Sequence, residues 1–225
     1  PSLISSGSPQ QNMNSKSLLI AASTLDFNME FKNLPKVLGL DVSTKTIGWA
    51  LFNMADKQLL ELTHFSPVVK PKPEYKIEEH LLKAAAFEKK LKEVKDLGIV
   101  EVIIEEPLLT SNNIYTVGTL LRYNAMIVKT VYDVLGIIPK FVSTYNARKY
   151  AFPQLVRENG KGKKVLFGQY PKGCDKKKII WEEVRKLQPN MEWAYTRNNT
   201  LKKECFDMAD AYTCVQGYMN KEGIW

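Results

Sequence analysis

The sequence contains few cysteines and histidines, which limits the metal sites and cross-links it can form. There are three cysteines and two histidines among 225 residues. No two cysteines are spaced as C-x-x-C, and an odd number of cysteines cannot all pair with one another. Neither a structural zinc site nor a disulfide framework is therefore expected. Such sparse cysteine usage favours a reducing compartment, so we expect a cytoplasmic protein.

Long hydrophobic runs are also missing from the chain. No stretch approaches the roughly 20 apolar residues that cross a bilayer, so we expect no membrane association. With 44% hydrophobic and 25% charged residues, the composition is otherwise that of a globular protein. Residues 1–35 are rich in Ser, Asn and Gln and show no sustained hydrophobic period. This composition predicts a flexible arm over residues 1–35, followed by one folded domain over residues 36–225.

Short apolar runs and helical periodicity predict an α/β fold for the folded domain. Three β-rich runs at residues 36–42, 47–53 and 59–65 indicate an antiparallel meander. Helical spacing over 77–94 and 113–135 alternates with strand-like runs at 99–105 and 137–143. The order β-β-β-α-β-α-β predicts a five-stranded mixed sheet, antiparallel and then parallel, flanked by helices. Two further helices are expected at residues 175–187 and 202–219, after an exposed basic loop over 152–173.

Positive charge is concentrated in one part of the chain. The net charge is +8, but residues 139–203 hold 16 basic and 5 acidic residues, a balance of +11. Lysines interleaved with aromatic rings are typical of a surface that binds nucleic acid, although a solvated lysine-rich face would have the same composition. The candidate contacts to nucleic acid are Lys149, Lys161, Lys163, Lys164, Lys177 and Lys178.

Four carboxylates fall at positions where charged groups are uncommon. Asp41 and Glu105 end apolar strands, and Asp207 and Asp210 lie three residues apart on a mostly apolar helix. Buried carboxylates are usually paired or bound to a metal, and sites with only oxygen ligands favour Mg²⁺, for which Mn²⁺ can substitute. Two such ions in one site, roughly 4 Å apart, can hydrolyse a phosphodiester bond. The sequence therefore predicts a two-metal hydrolytic site.

Other interpretations of these carboxylates remain open. A strand-end aspartate can cap a turn, and an Asp pair on a helix can belong to a solvated face. The STKT turn after Asp41 could also cradle a phosphate, as in actin-like kinases. That interpretation requires a glycine-rich nucleotide loop further along the chain, and the sequence has none. No nucleotide cofactor is expected.

Five segments occur in the order in which a known family carries its motifs: GLDVSTKTIGWALF, VIIEEP, YNARK, GCDKKKIIWEEV and DMADAYTC. Over residues 36–219 the chain resembles RuvC-like Holliday junction resolvases, which belong to the RNase H-like superfamily. The resemblance implies a homodimeric, Mg²⁺-dependent endodeoxyribonuclease of DNA recombination and repair that nicks opposed strands of four-way junctions. It also implies a catalytic and metal-binding set of Asp41, Glu105, Asp207 and Asp210, with Lys176 as the active-site lysine.

Three details of this resemblance lead to further expectations. Glu106 competes with Glu105 for the catalytic position, and Glu105 is preferred because it directly follows the apolar run. The loop over 152–173 is longer than in cellular bacterial members, which suggests a phage-type or other divergent form acting in the bacterial or phage-infected cell. The helix over 113–135, with Tyr123 and Met126 among its apolar residues, is the expected dimer contact.

Two alternative functions remain at this point. The opening motif also resembles that of YqgF-like RNA nucleases. A non-catalytic junction-binding module would carry the same basic stretch without cleaving.

Overall fold

The computed structural model describes residues 34–107 and 113–225. The arm expected over residues 1–35 lies, except for its last two residues, outside this range. The described residues from Pro35 onward belong to one compact unit, Pro35–Trp225. None of the helices in the described ranges is long and apolar enough to cross a membrane.

Five strands form the central sheet in the order β3-β2-β1-β4-β5. Strands β1, β2 and β3 pair antiparallel, whereas β4 lies parallel to both β1 and β5. This is the predicted mixed sheet. The bounds of the strands are Lys36–Val42 (β1), Ile47–Asn53 (β2), Leu59–Phe65 (β3), Ile99–Glu105 (β4) and Lys140–Val142 (β5).

Helices cover both faces of this sheet. Their bounds are Lys76–Glu93 (α1), Ile114–Leu135 (α2), Thr144–Ala151 (α3), Lys176–Leu187 (α4) and Glu204–Lys221 (α5). Helices α1 and α2 contribute to one hydrophobic core with one face of the strands, while α3, α4 and α5 contribute to a second core with the other face. Two short 3₁₀ helices, Lys95–Leu97 and Pro153–Leu155, complete the helical elements of the described ranges.

Helix α5 lies unusually close to the sheet because two glycines face it. A Cβ atom at Gly39 of β1 would come within 2.5 Å of the Ala211 carbonyl oxygen, and one at Gly48 of β2 within 2.0 Å of the Asp207 carbonyl oxygen. Any larger residue at either position would push the helix away. The two glycines therefore set the distance between Asp207 and the strands.

The structure differs from the sequence prediction at the start of the fifth strand and in the basic segment. Strand β5 begins at Lys140 rather than at residue 137, because Pro139 has no backbone N–H and Ile138 is 73% exposed. The segment expected to be a loop over 152–173 contains an antiparallel hairpin, Val156–Glu158 (β6) and Lys164–Leu166 (β7). This hairpin is attached to the body through Leu155 and Phe167, both buried.

Candidate functional site

Asp41 and Glu105 lie on neighbouring parallel strands and point to the same side of the sheet. Leu40 of β1 pairs with Ile104 of β4, so the residues that follow them are adjacent. Side chains alternate along a strand, and Ile103 belongs to the core on the α5 side. Glu105, two residues further on, therefore also faces α5, as does Asp41, two residues beyond Gly39.

Helix α5 brings two more carboxylates to this end of the sheet. Carboxylate oxygens of Asp41, Glu105 and Asp210 all lie within 4.8 Å of one another. Asp210 is 4% exposed. Asp207 lies one turn earlier on α5 and shares a cleft of about 310 Å³ with these three residues. The structure thus brings together all four of the carboxylates that the sequence singled out.

The two carboxylates on the strands are in an environment that disfavours their charge. Burial raises the pKa of Glu105 to about 7, and the nearby Asp210 adds to the shift. Burial also raises the pKa of Asp41 well above its usual range, and Glu105 and Asp210 add to the effect by repulsion. Without a cation, these two groups retain protons to a higher pH than ordinary carboxyl groups.

The carboxylates on helix α5 instead have cationic partners from the chain itself. The Arg148 guanidinium of α3 donates to Asp210 Oδ1 at 3.0 Å. The Lys177 ammonium of α4 lies 3.1 Å from Asp210 Oδ2 and 3.5 Å from Asp207 Oδ1. Burial would lower the pKa of Lys177, but the surrounding aspartates outweigh it and raise the pKa above its ordinary value. Burial raises the pKa of Asp207, although Lys177 opposes this shift.

The lysine that reaches the carboxylates is Lys177 and not Lys176, which was the expected active-site residue. Lys176 begins α4, and its ammonium lies 5.9 Å from the centre of the Phe167 ring. Successive side chains on a helix point about 100° apart, so only one of the two adjacent lysines can face the cleft. The Asp175 side chain caps α4 by accepting from the Lys178 backbone N–H, which fixes the orientation of this first turn.

Two residues of α3 that the sequence analysis did not select contact the carboxylates. Arg148 holds Asp210, and the Thr144 hydroxyl donates a short hydrogen bond to Glu105. Both residues lie in the helix that contains the YNARK motif. Residue spacing alone did not identify them, because the partner of Arg148 lies 62 positions away in the sequence.

Glu106 occupies a different position from its neighbour Glu105. Its backbone N–H donates to the Val142 carbonyl, and its side chain is exposed at the rim of the cleft. Within the described ranges, the group of acidic oxygens close enough to share one ion includes Glu105 and not Glu106. Glu105 is thus the glutamate that lies at the carboxylate cluster, and its catalytic role stays a prediction.

The turn that follows Asp41 is held from the opposite side of the sheet. The Lys83 ammonium of α1 donates to the Thr44 carbonyl at 2.8 Å and pairs with Glu79 at 2.7 Å. The Ser43 hydroxyl accepts the Thr46 backbone N–H and donates to the Thr46 carbonyl. The STKT turn is therefore fixed by its own hydrogen bonds and by α1.

The other candidate lysines lie on three elements and are not among the residues that line the cleft. Lys161 and Lys163 lie at the turn of the β6–β7 hairpin, Lys164 begins β7, and all three are exposed. Lys178 is exposed on the first turn of α4. Lys149 is half-buried on α3, with its ammonium 5.1 Å from the centre of the Tyr150 ring.

The donor set at this cleft fits a hard divalent cation. Asp41, Glu105 and Asp210 supply closely spaced carboxylate oxygens, with Asp207 beside them. Mg²⁺ and Mn²⁺ prefer such ligands. Cys214 lies near these carboxylates but is buried, and burial raises the pKa of its thiol well above the usual range. A thiolate ligand is thus disfavoured here.

The strand order and the helices on both faces define an α/β fold of the RNase H-like type. Two solved structures of Thermus thermophilus RuvC share this architecture. One is 14% identical with a TM-score of 0.50, and it aligns with 84% of this chain and 97% of its own. The other, T. thermophilus RuvC in complex with Holliday junction substrate, is 10% identical with a TM-score of 0.54 over the same shares. No family model and no curated protein matches the sequence.

Proposed function

We propose that this protein is a Mg²⁺-dependent endodeoxyribonuclease that cleaves four-way DNA junctions. The observation that carries the proposal is the meeting of Asp41, Glu105 and Asp210 within 4.8 Å at the end of an RNase H-like sheet. The shared fold with RuvC, one structure of which contains a Holliday junction substrate, supports branched DNA as the substrate class. The strongly basic segment over residues 139–203, of which Arg148 and Lys177 line the cleft, supports the same class.

In this proposal the four carboxylates hold the divalent cation and their neighbours fix their orientation. Asp41, Glu105, Asp207 and Asp210 would be the ligands, and a pair of ions is the arrangement that we expect. Bound Mg²⁺ would activate a water and stabilise the leaving 3′-oxygen. Thr144 orients the Glu105 carboxylate through its hydroxyl, and Arg148 orients Asp210. Lys177, at the cleft, is the residue that we assign to the scissile phosphate in place of Lys176.

Binding of the DNA arms is assigned to the lysines outside the cleft. The exposed positions Lys161, Lys163 and Lys164 project from the body on the β6–β7 hairpin, where they can neutralise phosphates without touching the carboxylates. We assign sequence-independent affinity to this hairpin. The residues of the cleft carry out the cleavage step.

We further propose that the protein acts as a homodimer, because paired nicks in opposed strands need two active sites. Of the apolar residues of the helix expected to form the contact, Tyr123 is 1% exposed and belongs to the core, so it is not available to a partner. Leu121 and Tyr132 are 41% and 54% exposed, and Phe141 of β5 beside them is 46% exposed. Changing Leu121 and Tyr132 together to Glu should yield a folded monomer by light scattering. An unchanged mass would exclude this face.

The experiment that tests the function is a substrate panel in Mg²⁺. The full chain is incubated with a four-way junction, a linear duplex of the same sequence and an RNA hairpin, each end-labelled. Symmetric nicks confined to the junction are the expected result. Cleavage of RNA alone would replace the proposal with an RNA nuclease, and tight junction binding without nicks would indicate a binding module.

A further inference from the structure

The cationic partners of Asp210 differ in how firmly the fold holds them. The Arg148 side chain is 11% exposed, and its guanidinium is enclosed between α3 and α5. The Lys177 side chain is 50% exposed and extends from the first turn of α4 toward the cleft. Water can solvate the half-exposed ammonium of Lys177, and Arg148 stays on the other oxygen of Asp210, so Lys177 is the partner that can leave.

The ammonium of Lys177 also occupies the space that a cation shared by the helix carboxylates would need. It lies 3.1 Å from Asp210 Oδ2 and 3.5 Å from Asp207 Oδ1, on the side of Asp210 that Arg148 leaves free. A divalent cation binding to the same two oxygens would stand against a positive charge at close range. Two positive charges at this separation repel each other strongly, so the ammonium and the divalent cation exclude one another.

We infer that Lys177 is an internal competitor for the divalent cation: its ammonium holds Asp207 and Asp210 in the metal-free site and gives them up when the ion binds. This inference rests on the proposed metal-dependent function. Once displaced, the ammonium remains tethered at the mouth of the cleft, within reach of a substrate phosphate. Ion binding would thereby release the positive charge that the DNA strand requires.

The adjacent lysine provides a matched control for this inference. Lys176 and Lys177 share the first turn of α4 and carry the same charge, but Lys176 lies against Phe167 instead of the carboxylates. Replacing either residue with Met removes one positive charge from the same helix end. Only Lys177→Met removes the competitor, and both positions are exposed, so both variants should fold.

The test is the affinity of the DNA-free full-length protein for Mn²⁺, measured by titration calorimetry for wild type, Lys176→Met, Lys177→Met and Lys177→Arg. We expect Lys177→Met to bind about tenfold more tightly than Lys176→Met, because the competing charge lay in direct contact with the ligands. Lys177→Arg should remain near the wild-type affinity. A thermal melt should show Mn²⁺ stabilising Lys177→Met more than wild type.

Equal affinities for the two Met variants, or weaker binding by Lys177→Met, would overturn the inference. Junction cleavage by the wild type distinguishes this failure from failure of the proposed function. A wild type that nicks junctions while both Met variants bind Mn²⁺ equally keeps the nuclease assignment and removes the competition. A wild type that binds no Mn²⁺ overturns both.

Discussion

The carboxylates carried by the strands and those carried by helix α5 meet in one cluster, but they lie in different charge environments. Asp210 has Arg148 and Lys177 within 3.1 Å, whereas Glu105 accepts a hydrogen bond from the neutral Thr144 hydroxyl. Burial, with a smaller contribution from Asp210, raises the pKa of Glu105 to about 7, and the Thr144 hydrogen bond only partly opposes this shift. The strand half of the cluster, Asp41 and Glu105, is therefore stabilised by protons or by an added cation. The helix half, Asp207 and Asp210, is partly neutralised by cationic side chains of the chain itself.

The strongest test of this difference is to neutralise the strand half. Asp41→Asn should lower the single-turnover rate of junction cleavage by roughly a thousandfold or more, because a ligand with full charge is lost from an oxygen-only site. Junction binding should be unchanged by gel shift. Asp56→Asn, a surface change in the turn between β2 and β3, is the control and should cleave at the wild-type rate. Near-normal cleavage by Asp41→Asn would remove Asp41 from the site.

Glu105 and Glu106, at the end of β4, allow a second test in which the expected change in cleavage rate is smaller. Glu105→Gln should slow cleavage by roughly a hundredfold, because the amide keeps the shape and loses the charge. Glu106→Gln should stay within about threefold of wild type, since its side chain lies at the rim. The cleavage rates of the two variants are measured from quenched time courses. A larger loss of rate for Glu106→Gln than for Glu105→Gln would mean that Glu106, and not Glu105, is the ligand.

The difference between the two halves should also appear in the pH dependence of stability without divalent ions. Because burial raises the pKa of Glu105 from 4.5 to about 7, the folded state binds more protons than the unfolded state between these pH values. The raised pKa of Asp41 acts in the same direction. This contribution is fully present below the unfolded pKa and is lost as pH rises through the folded pKa. We therefore expect wild type to lose stability relative to Asp41→Asn as the pH rises across this window.

Urea unfolding at constant ionic strength in EDTA measures this effect at intervals from pH 5 to 8. The comparison between wild type and Asp41→Asn cancels the titration of groups far from the cluster. Parallel stability curves for the two proteins would show that the strand carboxylates ionise normally.

The smallest change in cleavage rate is expected for substitutions outside the carboxylate cluster, at the β6–β7 hairpin. Replacing Lys161, Lys163 and Lys164 with Ala should reduce the salt dependence of junction binding by up to about three phosphate contacts. The cleavage rate at saturating protein should stay within about twofold of wild type, since these side chains do not touch the carboxylates. Binding measured over a series of salt concentrations tests this, and an unchanged slope would make the hairpin an ordinary solvated surface.

Much of the fold could be predicted because the strands are short apolar runs with clear ends. Strand β4 runs from Ile99 to Glu105 as predicted, and the glycines that admit α5 lie within recognisable strands. Helix α3 was not predicted, because Ala147 is its one buried residue and eight residues show too little periodicity. The hairpin was not predicted either, since its strands have three residues each.

The carboxylates that meet at the candidate site could be singled out from the sequence, whereas the basic side chains that contact them could not; the catalytic roles of all of them stay predictions. Buried carboxylates at strand ends are rare enough to be recognised in a sequence. Which of two adjacent lysines faces a cleft depends on the rotation of a helix, and so Lys176 was chosen where Lys177 makes the contact. Arg148 reaches Asp210 only through the packing of α3 against α5, which no local pattern reveals.

The central claim is that the carboxylates of β1, β4 and α5 hold a divalent cation. Anomalous diffraction from crystals soaked in Mn²⁺ measures this directly. We expect an anomalous peak bounded by oxygens of Asp41, Glu105 and Asp210, with the Lys177 ammonium displaced from Asp210. A structure at saturating Mn²⁺ with no peak among these three residues, and with Lys177 still paired to Asp210, would contradict it.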